Sequence, residues 1–135
     1  MGAELFAGHI DAGIVTIDRD AALAFWHGLM GFPVEGEISF PGLTILRLKA
    51  GDTTLRLCIP DGGVEREAHN GAFAAESGLR YLTIYVCNLD ALADAAQAAG
   101  YLVPFPPREI RPGHRVAQIQ DGMGVTVELV ETSAG

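Results

Sequence analysis

Two carboxylates, a guanidinium and a phenol stand at matching places in a passage that this chain carries twice. Residues 11–21 read DAGIVTIDRDA and residues 81–91 read YLTIYVCNLDA, an offset of 70 that lays Asp11 on Tyr81, Ile14 on Ile84 and Asp20 on Asp90. Residues 54–58 (TLRLC) lie over residues 126–130 (TVELV) at an offset of 72, which lays Arg56 on Glu128. Such a set is suited to acid–base work. A carboxylate takes a proton, a guanidinium holds an oxyanion with a charge that does not titrate near neutrality, and a phenol donates a hydrogen bond to the same oxygen. No Ser/His/Asp or Cys/His order, Gly-rich phosphate loop before a helix or paired-Cys motif offers a competing chemistry.

These residues need strands to hold them, and the pattern supplies strands twice. Residues 9–17 alternate as a strand and end at Asp18-Arg19-Asp20, where an Asp can cap a helix over about residues 21–30. In that helix Ala22, Phe25, Trp26 and Leu29 form an apolar stripe that packs on a sheet, and Gly31 stops it before Pro33. Residues 34–39, 43–49 and 53–59 read as three strands, with Pro41-Gly42 and Gly51-Asp52 as turns. After a polar connection over residues 61–77 the plan repeats: a strand at 79–86, a helix at 89–99 ended by Gly100, and strands near Tyr101, Arg115 and Val125. The run Pro104-Phe105-Pro106-Pro107 is barred from a helix or a central strand, so it is a loop or an edge. The expected architecture is α+β, one domain over residues 1–135 built of two βαβββ modules, about 9–60 and 78–131. Chance similarity of two apolar strands is the alternative to a true repeat, and the shared helix-cap positions and matching final strand count against it.

With 135 residues, the chain can bury about 70% of its unfolded surface, enough for a core without staples. No apolar run approaches the roughly 18 residues of a membrane span, so no membrane partner is expected. A net charge of −8 without a basic stripe removes the attraction that drives phosphate-backbone binding and argues against nucleic acid. The start, Met1-Gly2-Ala3-Glu4, lacks the pattern of a secretory signal. Cys58 and Cys87 lie in expected strands without metal-ligand spacing, which points to a reducing cytoplasm and two buried thiols.

The passage Gly13-Ile14-Val15-Thr16-Ile17-Asp18, followed by Ala24-Phe25-Trp26 and Leu29-Met30-Gly31-Phe32, resembles the vicinal oxygen chelate superfamily. So does Gln120-Asp121-Gly122-Met123-Gly124 leading to Val127-Glu128-Leu129-Val130-Glu131. That superfamily includes glyoxalase I, methylmalonyl-CoA epimerase, extradiol dioxygenases, fosfomycin-modifying enzymes and bleomycin-binding resistance proteins. The resemblance spans roughly residues 9–131. It departs from the family where Phe25-Trp26 stand for a common Phe-Tyr and Asp121-Gly122-Met123-Gly124 for a common Asp-Pro-Asp-Gly. It implies two modules curled around a cleft, a small-molecule ligand, and a homodimer that in some relatives exchanges modules.

The resemblance also assigns the four opening residues a place. Metal-using members carry a ligand, usually His, on the first strand of each module and another, usually Glu, on the last; carried across, these are Asp11, Arg56, Tyr81 and Glu128. Arg56 has no lone pair to give. A divalent ion about 4 Å from it would meet a repulsion on the order of 8 kcal/mol at an effective dielectric near 20. The expectation is therefore no metal and no other cofactor, with Arg56 itself as the electrophile. Asp11, Arg56 and Glu128 carry a net −1, so two carboxylates compete for one guanidinium and the pKa of one is expected to rise. Glu128 is the expected general base, Arg56 the holder of a carboxylate, enolate or phenolate, and Tyr81 a second donor. The reaction is then proton abstraction next to a carbonyl: isomerisation, epimerisation or elimination.

By alternation His9, Gly13, Thr83 and Tyr85 join this face as ligand-binding residues, together with His114 from the loop entering a later strand. Gly13 marks either close sheet packing or room for a ligand. Three alternatives stand beside the enzyme. Arg56 bridges Asp11 and Glu128 as a purely structural pair. The chain is a sequestering protein of the bleomycin-resistance type. Or a metal is held by Glu128, Asp11 and His9, which requires Arg56 to face solvent.

Overall fold

Where the chain turns is set by the residues that permit turning, and those turns divide it into two units of the same plan. The computed structural model describes residues 1–133. The first unit runs to Val64 and the second begins at Glu65.

In the first unit β1 (Ala12–Val15) leads to α1 (Arg19–Leu23), which continues as a π-helical stretch Ala24–Leu29. Then come β2 (Val34–Phe40), β3 (Leu43–Ala50) and β4 (Thr53–Pro60). The Asp18 carboxylate accepts from the Ala21 amide at 3.0 Å, the cap that the sequence pointed to. One expected helix is thus an α-turn followed by a wider winding, with the Met30 amide donating to the Phe25 carbonyl five residues back at 2.9 Å. Phe25 and Trp26 are both fully buried, their rings edge-on at 4.8 Å, and Trp26 stacks on Phe32 at 6.4 Å. With them, Ile14, Leu46, Leu48, Leu55 and Leu57 are buried apolar residues of this unit, on a sheet ordered β1-β4-β3-β2. β1 lies parallel to β4; the other pairs are antiparallel. A parallel neighbour cannot be reached by a tight turn, which is why the helix comes between β1 and the meander.

The second unit repeats this with β5 (Tyr81–Tyr85), α2 (Leu89–Ala98), β6 (Phe105–Arg111), β7 (His114–Gln120) and β8 (Thr126–Thr132), ordered β5-β8-β7-β6. A 3-10 turn, Phe73–Ala75, interrupts the segment before β5. Leu89, Ala93 and Ala96 of α2 and Ala117, Ile119, Val127 and Leu129 of the sheet form its core. The repeat is structural: Gly13 pairs with Arg56 on the parallel ladder of the first unit and Thr83 with Glu128 on that of the second, at the offsets of 70 and 72. Two mixed four-stranded sheets with few helices make the class α+β, as expected.

Three expectations are corrected. There is no strand at Tyr101, whose amide instead closes the end of α2 on the Ala96 carbonyl at 2.9 Å. The strand begins at Phe105 and contains Pro106 and Pro107; it is the outermost strand, and its register slips between Phe105 and Arg108, so the prolines occupy an edge. The thiols are not both buried: Cys58 is half-buried on β4 and Cys87 is exposed just beyond β5. The cap is also not shared as the repeat suggested. Asn88 sits at the N-cap of α2 without a side-chain bond, and Glu131 of β8 accepts from the Leu89 amide at 3.1 Å instead. Among the described residues no helix is long and apolar enough to cross a membrane.

Candidate functional site

In the first unit, alternation along β4 turns Leu55 and Leu57 into the core and Thr54, Arg56 and Cys58 to the opposite face of the sheet. Asp11, one residue before β1, reaches that same face and ties its two neighbours there. Its Oδ1 accepts from the Thr54 amide at 2.9 Å and its Oδ2 from Arg56 Nη1 at 3.3 Å. His9 Nδ1 lies 3.2 Å from Asp11 Oδ1. The Arg56 side chain is 41% exposed and Asp11 28%. Arg56 is thus neither sunk in the core nor turned into bulk water, but held along the sheet by a carboxylate. Gly13 is open: nothing lies within 4 Å of where a β-carbon would stand, so it leaves room rather than marking close packing.

In the second unit Tyr81, Thr83 and Tyr85 alternate outward from β5. Thr83 Oγ1 donates to Glu128 Oε1 at 3.1 Å, across the ladder position where the first unit has Gly13 and Arg56. Tyr81 is 38% exposed and Tyr85 74%. The Tyr81 ring meets Phe73 edge-on at 5.6 Å. His114 opens β7, with Nδ1 3.3 Å from the Pro112 carbonyl. His27 is exposed on the helix, Nδ1 2.7 Å from the Phe32 carbonyl, and His69 faces Glu76 at 3.6 Å. The candidates therefore gather as two groups, His9, Asp11, Gly13 and Arg56 in one unit and Tyr81, Thr83, Tyr85 and Glu128 in the other. His114 lies away from the latter, opposite Thr132 in the β7–β8 ladder.

One residue was missed. Across the first sheet the register runs Gly13, Arg56, Arg47, Gly36, so Arg47 of β3 shares the face of Arg56. The corresponding row of the second sheet is Thr83, Glu128, Gln118, Phe105. Arg47 was accessible to the same alternation that placed Arg56, had the pairing of β3 with β4 been followed one strand further.

The expectation that competition would raise the pKa of one carboxylate fails for Asp11. The Thr54 amide, and after it the Arg56 guanidinium, hold the Asp11 pKa below the ordinary 3.8 even against desolvation. Asp11 is thus an anchor for Arg56 and a poor base. The sign of its pH effect follows. A depressed folded pKa gives stability that is fully present above 3.8 and is lost as the pH falls through the lowered value. Asp11→Asn is therefore expected to flatten the acid side of the stability curve, read from urea midpoints across acid pH; an unaltered slope would show that the pair is not formed in solution. Asp90, lowered by its bidentate pairing with Arg115 at 2.6 and 2.9 Å, adds a second contribution of the same sign.

The metal site of the resembled superfamily does not fit these residues. Asp11 spends both oxygens on donors and Arg56 brings a fixed positive charge to the position of a ligand. Among the described residues no three His, Cys, Asp or Glu side chains come together as a ligand set.

Comparison with known proteins agrees with this architecture. The model of the Glyoxalase/Bleomycin resistance protein/Dioxygenase superfamily matches residues 7–129. No curated protein sequence matches significantly. Among solved structures, that of SMU.1112c is 25% identical, with 91% of this chain and 98% of that one covered and a TM-score of 0.73. A glyoxylase/bleomycin resistance protein/dioxygenase domain from Frankia sp. EAN1pec is 16% identical, with coverages of 97% and 96% and a TM-score of 0.79. A lactoylglutathione lyase from Agrobacterium tumefaciens is 20% identical, with coverages of 94% and 96% and a TM-score of 0.64.

Proposed function

Since the chain belongs to the Glyoxalase/Bleomycin resistance protein/Dioxygenase superfamily, we propose that it is a small-molecule enzyme of that superfamily that abstracts a proton next to a carbonyl without a metal, as an isomerase, epimerase or lyase. The observation that carries this reading is the Asp11–Arg56 pair: a ligand position filled by a guanidinium that a carboxylate orients and does not exhaust. A guanidinium has five N–H donors, and the pairing with Asp11 uses one.

In this reading Glu128 takes the proton from the carbon next to the carbonyl. The C–H electron pair becomes the new C=C bond, the carbonyl π pair moves to oxygen, and the resulting enolate oxygen needs a donor, the role proposed for Tyr81 in the second unit and for Arg56 in the first. Thr83 fixes the Glu128 carboxylate through one oxygen and leaves the other for the proton. Return of the proton to the other face of the carbon, or to another carbon, gives an epimer or an isomer; departure of a β-substituent gives elimination. A homodimer in the cytoplasm, acting on a small-molecule ligand and without a nucleic-acid or membrane partner, completes the proposal.

One observation favours sequestration as a second reading. Leu79 is 88% exposed beside Tyr81 and Tyr85, an aromatic and aliphatic group suited to covering a ligand without transforming it.

The experiment is proton exchange in deuterium oxide. Protein purified without chelator, of measured metal content, is incubated with a panel of small oxo-acids and hydroxyketones and followed by NMR. The expected result is enzyme-dependent loss of the α-proton signal that survives chelator. Exchange that appears only when a divalent ion is supplied would overturn the metal-independent mechanism.

A further inference from the structure

The face of the first sheet that bears Arg56 is more cationic than the rest of the chain, whose net charge is −8. Arg47 and Arg56 are cross-strand partners, and Lys49 follows two residues on from Arg47 along β3. Asp11 is the carboxylate that meets this group, and it is committed to Arg56. Arg47 has no ion pair among the described residues, and its Nε is buried without a hydrogen-bond partner. An unpaired buried N–H of a charged group is costly unless something outside the chain completes it. The guanidinium lies over Gly36: a β-carbon there would come 2.8 Å from Arg47 Nη2. Glycine at one end of the row thus gives Arg47 its place, and glycine at the other end, Gly13, leaves space. The next row on this face is apolar, Val15, Cys58, Ile45 and Ile38, with Val15 and Ile38 exposed. The matching row of the second sheet replaces Arg47 with Gln118 and Gly36 with Phe105, so the cationic row belongs to one module alone.

We propose that Arg47 anchors a carboxylate of the ligand on this face. The substrate class is then a carboxylic acid with a short apolar portion along Val15, Cys58, Ile45 and Ile38, bearing the carbonyl at which Arg56 acts. The planar fork of a guanidinium matches the two oxygens of a carboxylate, and the small residues beside it admit a flat group. The inference rests on the proposed reaction for the role of Arg56; the anchoring by Arg47 stands without it.

The test is calorimetric titration of the full chain with malonate and with inorganic phosphate at constant ionic strength. Malonate is expected to bind wild type and to bind Arg47→Gln about tenfold or more weakly, the loss of a charged hydrogen bond. Gly36→Ala, which keeps the charge but pushes the guanidinium aside, is expected to weaken malonate several-fold and keeps the test decisive if Arg47→Gln fails to fold. Arg66→Gln, which removes the same charge from the exposed connection, is expected to leave the affinity unaltered. Equal malonate affinity in wild type and Gly36→Ala, or equal loss in Arg66→Gln, would overturn the anchor. Tighter binding of phosphate than of malonate would overturn the carboxylate assignment. Failure of the reaction is read separately: proton exchange absent while the Arg47 dependence of malonate binding persists refutes the chemistry and leaves the anchor.

Discussion

Glu128→Gln is expected to lower proton exchange by about 10²–10⁴-fold, the range by which a positioned acid–base group contributes to such steps, with ligand affinity little changed. The substitution is close to isosteric and keeps an oxygen for Thr83, which donates to Glu128 Oε1 at 3.1 Å, so the side chain can stay where it is. What it loses is a carboxylate able to accept a proton. The effect therefore belongs in kcat rather than KM, since the interaction removed is made as the proton moves. Retained exchange in this variant would transfer the role to another base, of which His9, 3.2 Å from Asp11, is the first to examine. Ligand protection that is equal in both proteins, with no turnover in either, would instead favour sequestration.

Trp26→Ala is expected to destabilise the protein by about 3–5 kcal/mol, the range for removing a buried large aromatic side chain. Trp26 is fully buried, lies against Phe25 edge-on and Phe32 face to face, and belongs to the π-helical stretch Ala24–Leu29. Trp26→Phe is the informative companion. The indole Nε1 is buried without a hydrogen-bond partner, so phenylalanine gives up volume but no bond, and a cost below that of alanine is expected. Because this is the chain's one tryptophan, the transitions must be followed by far-ultraviolet circular dichroism. A Trp26→Ala midpoint equal to that of wild type would show that the indole does not hold the helix to the sheet.

The architecture was legible because each module repeats a pattern that sequence records well: period-two strands, an apolar helical stripe, and glycine turns. Strands 43–49 and 53–59 were placed to within one residue at each end, since Gly42 and Gly51, both with positive φ, mark their turns. The first strand was overdrawn at 9–17 because an alternating apolar pattern continues past the four residues that find a partner on β4. Tyr101 misled for a related reason: an aromatic residue after a helix looks like a strand start, yet backbone bonding there completes the helix end. Of the site, the orientation of Arg56 was readable from alternation. The dominance of the Thr54 amide over the state of Asp11 was not, because a backbone donor leaves no mark in the side-chain pattern. Arg47 could have been placed opposite Arg56 from the Gly51-Asp52 turn, since the β3–β4 ladder is unbroken; its position beside Gly36 could not, because a bulge between Val34 and Gly36 shifts the β2–β3 register.

The parallel pairing of β1 with β4 bears on how the chain acquires its form. The meander β2-β3-β4 can assemble through short hairpins, whereas Ala12 must wait for Leu55, more than forty residues away, before its ladder exists. A four-residue ribbon has little of its own to hold it in register. The Asp11 carboxylate on the Thr54 amide is a clasp at its leading end, so the group that aims Arg56 also pins the short strand to its distant partner.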